Sequence, residues 1–307
     1  MSITYLPYKE IDKKKWDNCI EQAVNGLIYG KSFYLDTMSD NWHALVLNDY
    51  EAVMPLTWKN KWGIRYLYQP AFIQQSGIFY TTKLTDVEVR SFIALALQKF
   101  NFAEITLNFS NNIQLPDDAL QIQQRSNFIL DLNRPYEALY ENYDPSFTKS
   151  LRRIKKFDMD YFESVNYERI IELYKNLYSK RLPYIPDKSY TLLTAVCKKL
   201  SSENKVIVRH VRNASSLLLA SVVLLKDNNR LYNIISCITN EGKKVEANYF
   251  LYDRIIHEFA NTAMLLDFEG SDVAGIAAFY EKFNPVNQPY PFVKWNNLPP
   301  FVKFFKR

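Results

Sequence analysis

Read for hydrophobic period, the chain runs twice through one order of secondary-structure elements, and that repeat restricts its architecture more than any single motif does. In the N-terminal part, a helix near 9–24 precedes strands at His43–Leu47, Glu51–Trp58 and Ile64–Tyr68. Turn signals at Asn48-Asp49, Lys59–Gly63 and Gln69-Pro70 bound these strands. A helix over about 85–100 follows, with Val87, Phe92, Leu95, Ala96 and Phe100 on its apolar face, then strands at Glu104–Phe109 and Phe128–Leu132. The C-terminal part repeats the order with strands Lys205–Val211, Ser216–Lys226 and Arg230–Ile238, a helix from Glu246 to Asn261 and a strand at Ala263–Phe268. Helical segments at 136–143, 145–157, 167–181 and 188–202 stand between the two runs. The expected fold is α/β of the α+β type, with two units that are each a mixed, mostly antiparallel sheet flanked by helices. The boundary is expected at Arg134-Pro135, because proline drives its predecessor out of the helical region, which gives units 1–134 and 135–307.

Glycine scarcity removes several function classes. The chain has 307 residues and seven glycines, no two of them in a GxG, so a dinucleotide fingerprint is absent. Gly270 and Gly275 have the spacing of a phosphate loop, but Ile276-Ala277 follow where Lys and Ser/Thr are required. No GxSxG, HExxH or EF-hand loop occurs, and His43, His210 and His257 stand far apart. Three cysteines, Cys19, Cys197 and Cys237, form no CxxC and point to a reducing compartment. The N-terminus lacks the apolar stretch of a secretory signal. The longest apolar run, Leu217–Leu225, is nine residues broken by Ser221, against roughly 20 for a spanning helix. A soluble, cytoplasmic protein is the expectation.

Charge is concentrated. The net charge is +5, and 149-KSLRRIKK-156 holds five basic residues and no acidic one, so the rest of the chain balances. Asp144-Pro145 is a helix start, after which Phe147, Leu151, Ile154 and Phe157 form an apolar stripe. Lys149, Arg152, Arg153 and Lys156 lie off that stripe and Lys155 near its edge. The face either binds an anion (the phosphates of RNA, a nucleotide-linked substrate or a membrane surface) or is merely solvated. In 264-MLLDFEGSDVAGIAAFYEKF-283, an apolar strand runs into Asp267, Glu269, Gly270, Ser271 and Asp272. Ligands gather at such strand ends, and a carboxylate there can accept a proton from an amine; helix capping by Ser271 or Asp272 is the plainer alternative. The strand-to-helix loop 239–248, with Gly242, Lys243, Lys244 and Asn248, offers amides and a lysine pair to an anion or is an ordinary connection with that pair solvated. Tyr174, Tyr178, Arg181, Tyr184 and Tyr190 cluster around 181-RLPYIP-186, as a substrate groove or an aromatic core edge.

At these motifs the chain resembles the Fem-type peptidyltransferases of the GNAT acyltransferase superfamily, which are built from two tandem GNAT-like domains. The resemblance rests on the basic helix 150-SLRRIKKF-157, the connector 181-RLPYIP-186, the hairpin 208-VRHVRNASSLLLASVVLL-225 and the block 266-LDFEGSDVAGIAAFYEKF-283, in family order over about 140–290. It implies acyl transfer to an amine, with aminoacyl-tRNA or acyl-CoA as donor and no metal. It also implies a small-molecule or peptide-type amine acceptor, with tRNA or a nucleotide-linked molecule as a further partner. Asp267 or Glu269 would position or deprotonate the amine. Tyr280 and the backbone near Gly270 would polarise the carbonyl. Lys149, Arg152, Arg153 and Lys156 would hold phosphates, with Arg181, Tyr184, Ser271 and Phe279 lining the substrate cleft. The chain departs from the family pattern at Phe279-Tyr280, where Phe-Lys is usual, and at Phe283-Asn284, where Phe-Gly is usual. The acyl-CoA signature expected after the strand ending at Ile238 is reduced to Gly242. An acyl-CoA-dependent N- or O-acyltransferase, a GNAT-fold binding protein that has lost catalysis, and non-specific RNA binding by the basic helix remain as alternatives.

Overall fold

Each half of the chain closes its own hydrophobic core around its own sheet. The computed structural model describes residues 2–111, 113, 120–270 and 272–299, which fall into two compact units. Unit 1 comprises the described residues of Met1–Arg125 and Pro289–Arg307, and unit 2 is Ser126–Gln288.

Unit 1 begins with β1 (Ile3–Leu6), α1 (Lys13–Gln22), α2 (Ser32–Met38), β2 (Trp42–Leu47), β3 (Ala52–Lys61), β4 (Ile64–Tyr68) and β5 (Phe79–Tyr80). It continues with α3 (Asp86–Lys99), β6 (Phe102–Thr106) and β7 (Leu120–Arg125). Local chemistry sets the helix starts. The Asp12 carboxylate accepts from the Lys14 and Lys15 N–H groups, and Thr85 with Glu88 forms a reciprocal capping box on α3. Val89, Phe92, Ile93 and Ala96 of α3 are buried among Leu45, Met54, Leu67, Ala103 and Ile105 of the sheet. β4 and β6 run parallel for only two pairs, Leu67↔Ala103 and Tyr68↔Glu104. Beyond them, side-chain amides close the gap. Gln69 Oε1 accepts from Thr106 N–H at 3.0 Å, Thr106 Oγ1 donates to the Gln74 carbonyl at 2.7 Å, and Gln75 Oε1 accepts from Phe109 N–H at 2.9 Å.

Unit 2 contains β8 (Phe128–Asp131), α4 (Tyr136–Glu141), α5 (Pro145–Ile154), β9 (Met159–Ser164), α6 (Tyr167–Tyr178) and α7 (Asp187–Ser201). It continues with β10 (Val206–Asn213), β11 (Leu218–Lys226), β12 (Arg230–Ile238), α8 (Asn240–Lys244), α9 (Ala247–Phe259), β13 (Leu265–Asp267), α10 (Ala274–Tyr280) and β14 (Val286–Asn287). The strand order is β14-β8-β13-β12-β11-β10-β9, antiparallel throughout except for the parallel pair β12/β13. Phe147, Leu151 and Ile154 of α5 join Leu251, Tyr252, Ile255 and Ile256 of α9 over Ala220, Val222 and Leu224 of β11. α6 and α7 pack on β10–β12, and strand alternation assigns Val223 and Leu225 to their side.

The boundary expected at Arg134-Pro135 falls too late. β8 hydrogen-bonds β13 and β14, so the crossing lies between Arg125 and Ser126. The last strand, β15 (Tyr290–Asn296), is inserted between β6 and β7 and returns the chain to unit 1. β1, α2, β5, β7, β9, α8, β14 and β15 lie outside the expected elements, being short, polar or interrupted by proline, as at Pro291. No described helix is long and apolar enough to cross a membrane.

His210 of β10 is 5% exposed, with Nδ1 2.5 Å from Ser221 Oγ. Burial, reinforced by Arg212 and Arg169, lowers its pKa to about 4 from an ordinary 6.5. Between those values the unfolded chain binds the extra proton, so stability falls as pH drops from about 6.5 to about 4, by a few kcal/mol, and this contribution levels off below. Thermal midpoints across that window should fall less steeply in His210→Gln than in the parent; equal slopes would contradict the assignment.

Candidate functional site

The parallel pair β12/β13 holds for three residues and then separates. Its partners are Arg230↔Leu265, Leu231↔Leu266 and Tyr232↔Asp267. At the point of separation, Asp267 is 1% exposed and Arg230 is 4% exposed. Asp267 Oδ2 takes Arg230 Nη1 at 2.6 Å across the strands, while Asp267 Oδ1 accepts from Glu269 N–H at 2.9 Å. The second bond is a carboxylate-to-i+2 turn, and Glu269 and Gly270 then adopt φ of 64° and 57°. Two successive left-handed residues turn the chain off the strand path, and glycine at the second carries no Cβ penalty there. β12 is bulged at Ile234, because Val223 pairs with Ile235 and Leu224 with Asn233. Among the described residues no strand pairs with this edge of β12 beyond Tyr232.

Polar groups collect along that edge. Thr239 N–H bonds the Leu219 carbonyl on β11, whereas Ile238 N–H points the other way and donates to Tyr178 Oη at 3.3 Å. The two-residue period assigns the Ser236 backbone groups to the same open side. Asn233, 5% exposed, donates from Nδ2 to Tyr280 Oη at 3.2 Å, and its Oδ1 is buried without a hydrogen-bond partner among the described residues. The Tyr252 hydroxyl lies among Ser236, Asn233 and Tyr280. Tyr174 comes within electrostatic reach of Tyr280 and stacks obliquely on Tyr178 at 5.0 Å. Burial pushes the Tyr252 phenol up to about 12 and the Tyr280 phenol well above its ordinary value, the latter helped by Tyr252. Both therefore stay protonated near neutral pH, each keeping its O–H. A carbonyl oxygen that becomes negative could be met here by hydroxyl and amide N–H groups in a nearly water-free setting.

The structure distributes the expected site residues unevenly. Asp267 is sealed in its ion pair, so it has no exposed oxygen for an amine; its part is to hold the turn. Glu269 is half-buried at the rim of the open edge, next to Gly270. Tyr280 does reach the edge. Phe279 stacks on Tyr249 at 5.4 Å and meets Tyr252 edge-on, as part of the aromatic core rather than a free cleft wall. Ser271 lies outside the described residues. Arg181 is exposed, and Tyr184, beside Tyr174 and Tyr190, is 75% exposed. Gly242 is buried, and a Cβ there would sit 2.1 Å from the Leu219 carbonyl oxygen, so this glycine serves the approach of α8 to β11. Its N–H is spent on Thr239 Oγ1 at 3.0 Å. Lys243 is exposed and Asn248 half-buried in the first turn of α9. Asn233, Ser236 and Tyr252 were not singled out from the sequence; a lone asparagine inside 231-LYNIISCI-238 was the available signal.

Lys149, Arg152, Arg153 and Lys156 are all exposed on α5 and the turn after it, and Arg153 pairs with Glu246 at 2.6 Å. The end of this cationic segment does not face bare surface. Lys155 and Lys156 border a groove of about 850 Å³ floored by Leu151, Ile154, Met159 and Phe250.

No protein-family model and no curated protein matches the chain. Among solved structures it is similar to FemX, with 11% identity, a TM-score of 0.68 and 100% of both chains covered. A conserved protein of unknown function from Bacteroides thetaiotaomicron aligns at 10% identity and a TM-score of 0.61, over 95% of this chain and 99% of that one. L-PGS from Bacillus licheniformis aligns at 10% identity and 0.51, over 96% and 95%. The chain thus has the tandem GNAT-like fold, with two mixed sheets flanked by helices, that it shares with FemX. Identities this low establish the fold alone.

If Asp267 is the structural pivot, Asp267→Asn should lose about 3–5 kcal/mol of unfolding free energy in urea, because the buried Arg230 guanidinium loses its carboxylate partner. Replacing both partners by Met and Leu should recover much of that loss. A stable Asp267→Asn protein would contradict this role.

Proposed function

We propose that unit 2 is an aminoacyltransferase that moves an aminoacyl group from an RNA-borne ester to an amine acceptor at the open edge of β12. One observation carries the reading. The gap after the parallel strand pair is filled by Gln69, Gln75 and their partners in unit 1, while in unit 2 Tyr178 takes only the Ile238 N–H, Asn233 Nδ2 reaches the Phe268 carbonyl at a long 3.5 Å, and the gap is floored by Asn233, Tyr252 and Tyr280. A fold that closes one gap and leaves its counterpart bordered by neutral donors is arranged for a ligand carbonyl.

In this mechanism the neutral amine attacks the ester carbonyl, the new C–N bond forms, and the carbonyl π electrons move onto oxygen. Tyr280, Tyr252 and the Asn233 amide meet the oxyanion. Asn233 Oδ1, which has no hydrogen-bond partner among the described residues, accepts an N–H of the amine and aims its lone pair. Glu269, the carboxylate at the rim, takes the proton and returns it to the departing ribose oxygen as the C–O bond breaks. Tyr280 thereby replaces the lysine of the family pattern with an uncharged donor. The donor choice follows from α8 and α5. The α8 start spends its Gly242 amide on Thr239 and carries Glu241 in its first turn, which suits a pyrophosphate poorly. The α5 cations instead suit a nucleic-acid backbone.

Single-turnover assays with charged tRNA and a panel of amines test the reading. Tyr280→Phe should slow transfer about 100-fold with little change in KM. Replacing Lys149, Arg152, Arg153 and Lys156 by alanine should raise KM, flatten the steep rise of KM with salt seen in the parent, and spare kcat. The rate should rise with pH as the acceptor amine loses its proton and show no fall near pH 10, because the raised phenol pKa values keep both donors protonated. Transfer from acyl-CoA but not from charged tRNA would move the chain to the other donor class. Binding without turnover would make it a binding protein.

A further inference from the structure

The hairpin β3/β4 ends in a two-residue loop, Trp62-Gly63, closed by the pair Lys61↔Ile64. Both loop residues have positive φ, 54° at Trp62 and 78° at Gly63, the form of turn whose first position favours Asn, Asp or Gly. A bulky aromatic in the left-handed region is an outlier, and such strain persists where a function maintains it. Trp62 is also 77% exposed, while the other four tryptophans are buried or half-buried. Its neighbours at the tip are cationic. Lys61 Nζ lies 4.8 Å from the Trp62 ring centroid and Arg65 sits 5.0 Å from the Trp58 ring. Neither forms an ion pair among the described residues, whereas Lys59 is neutralised by Asp40 at 3.0 Å.

We infer that this hairpin tip is a peripheral anchor for an anionic phospholipid surface, with the Trp62 indole entering the headgroup region and Lys61 and Arg65 meeting lipid phosphates. An indole with one apolar body and one N–H suits the interface, and each nearby cation adds attraction to anionic lipid. Single-stranded RNA fits less well. Asn60–Gly63 and Arg65 form an exposed hairpin tip, and the Lys61 ammonium already sits beside the ring where a base would stack. The inference is independent of the transfer reaction, since it concerns unit 1 and no residue assigned to the β12 edge.

The test uses the full chain with vesicles of phosphatidylcholine, alone or with phosphatidylglycerol, read by flotation and tryptophan emission. The parent should float with the anionic vesicles and shift its emission to the blue. Trp62→Asn, which gives the turn a residue it favours, should bind about tenfold more weakly, lose the shift, and keep or raise the thermal midpoint. Lys61→Glu and Arg65→Glu should each weaken binding about fivefold or more. Its transfer rate on dissolved substrates should be unchanged in Trp62→Asn. Failure of the parent to float, equal flotation of Trp62→Asn, or Trp62-dependent binding of tRNA in place of vesicles would overturn the assignment.

Discussion

The buried contact between Asp267 and Arg230 determines where the second sheet comes apart. Its two carboxylate oxygens have different tasks, one tying β13 to β12 and the other bending the chain away after Phe268. Burial alone would drive such a carboxyl toward its neutral form; the guanidinium and the Glu269 amide pull the other way. A buried pair of this kind adds little net stability over an apolar replacement, so its value lies in geometry. It fixes the last residue at which the strands touch, and every group at the open edge is placed relative to that residue. The bulge at Ile234 and the left-handed Glu269-Gly270 turn then carry the two chains apart.

Comparison of the two units shows what an opened sheet costs and how the fold manages it. In unit 1 the amide side chains of Gln69 and Gln75 stand in for missing backbone partners and satisfy the Thr106 and Phe109 N–H groups. In unit 2 the corresponding demand is met by Tyr178, whose hydroxyl takes the Ile238 N–H, and by Asn233, whose Nδ2 reaches the Phe268 carbonyl at 3.5 Å. Side chains can yield to a ligand more readily than a paired strand can, and the unpartnered Asn233 Oδ1 marks where hydrogen-bonding capacity is unused.

Periodicity made most of this architecture legible. α3, α5, α7, α9 and β10–β12 fall where apolar spacing and turn residues put them, because their faces bury continuous stripes. The crossing at Ser126 and the return of β15 were hidden, since pairing partners far apart in sequence leave no local trace. The same limit explains Asp267. Next to Glu269 and Gly270 it reads as a reactive acid, and only the fold brings Arg230, 37 residues earlier, against it. Gly242 reads as part of a phosphate cradle until Leu219 is seen behind it. Asn233 and Tyr252 were overlooked for the opposite reason, as they sit inside regular elements whose pattern draws the eye to the apolar residues. Trp62 carried a signal of its own, an aromatic in a turn position that suits asparagine.

The central claim is that the open edge of β12 holds an acyl carbonyl. A crystal structure with a non-hydrolysable aminoacyl-amide analogue of the charged RNA terminus tests it most directly. The account predicts the analogue's carbonyl oxygen within hydrogen-bonding distance of Tyr252, Tyr280 or Asn233, with Tyr178 displaced from Ile238 or bordering the ligand. An analogue bound elsewhere, with the β12 edge still closed by Tyr178 and the tyrosines undisturbed, would contradict it.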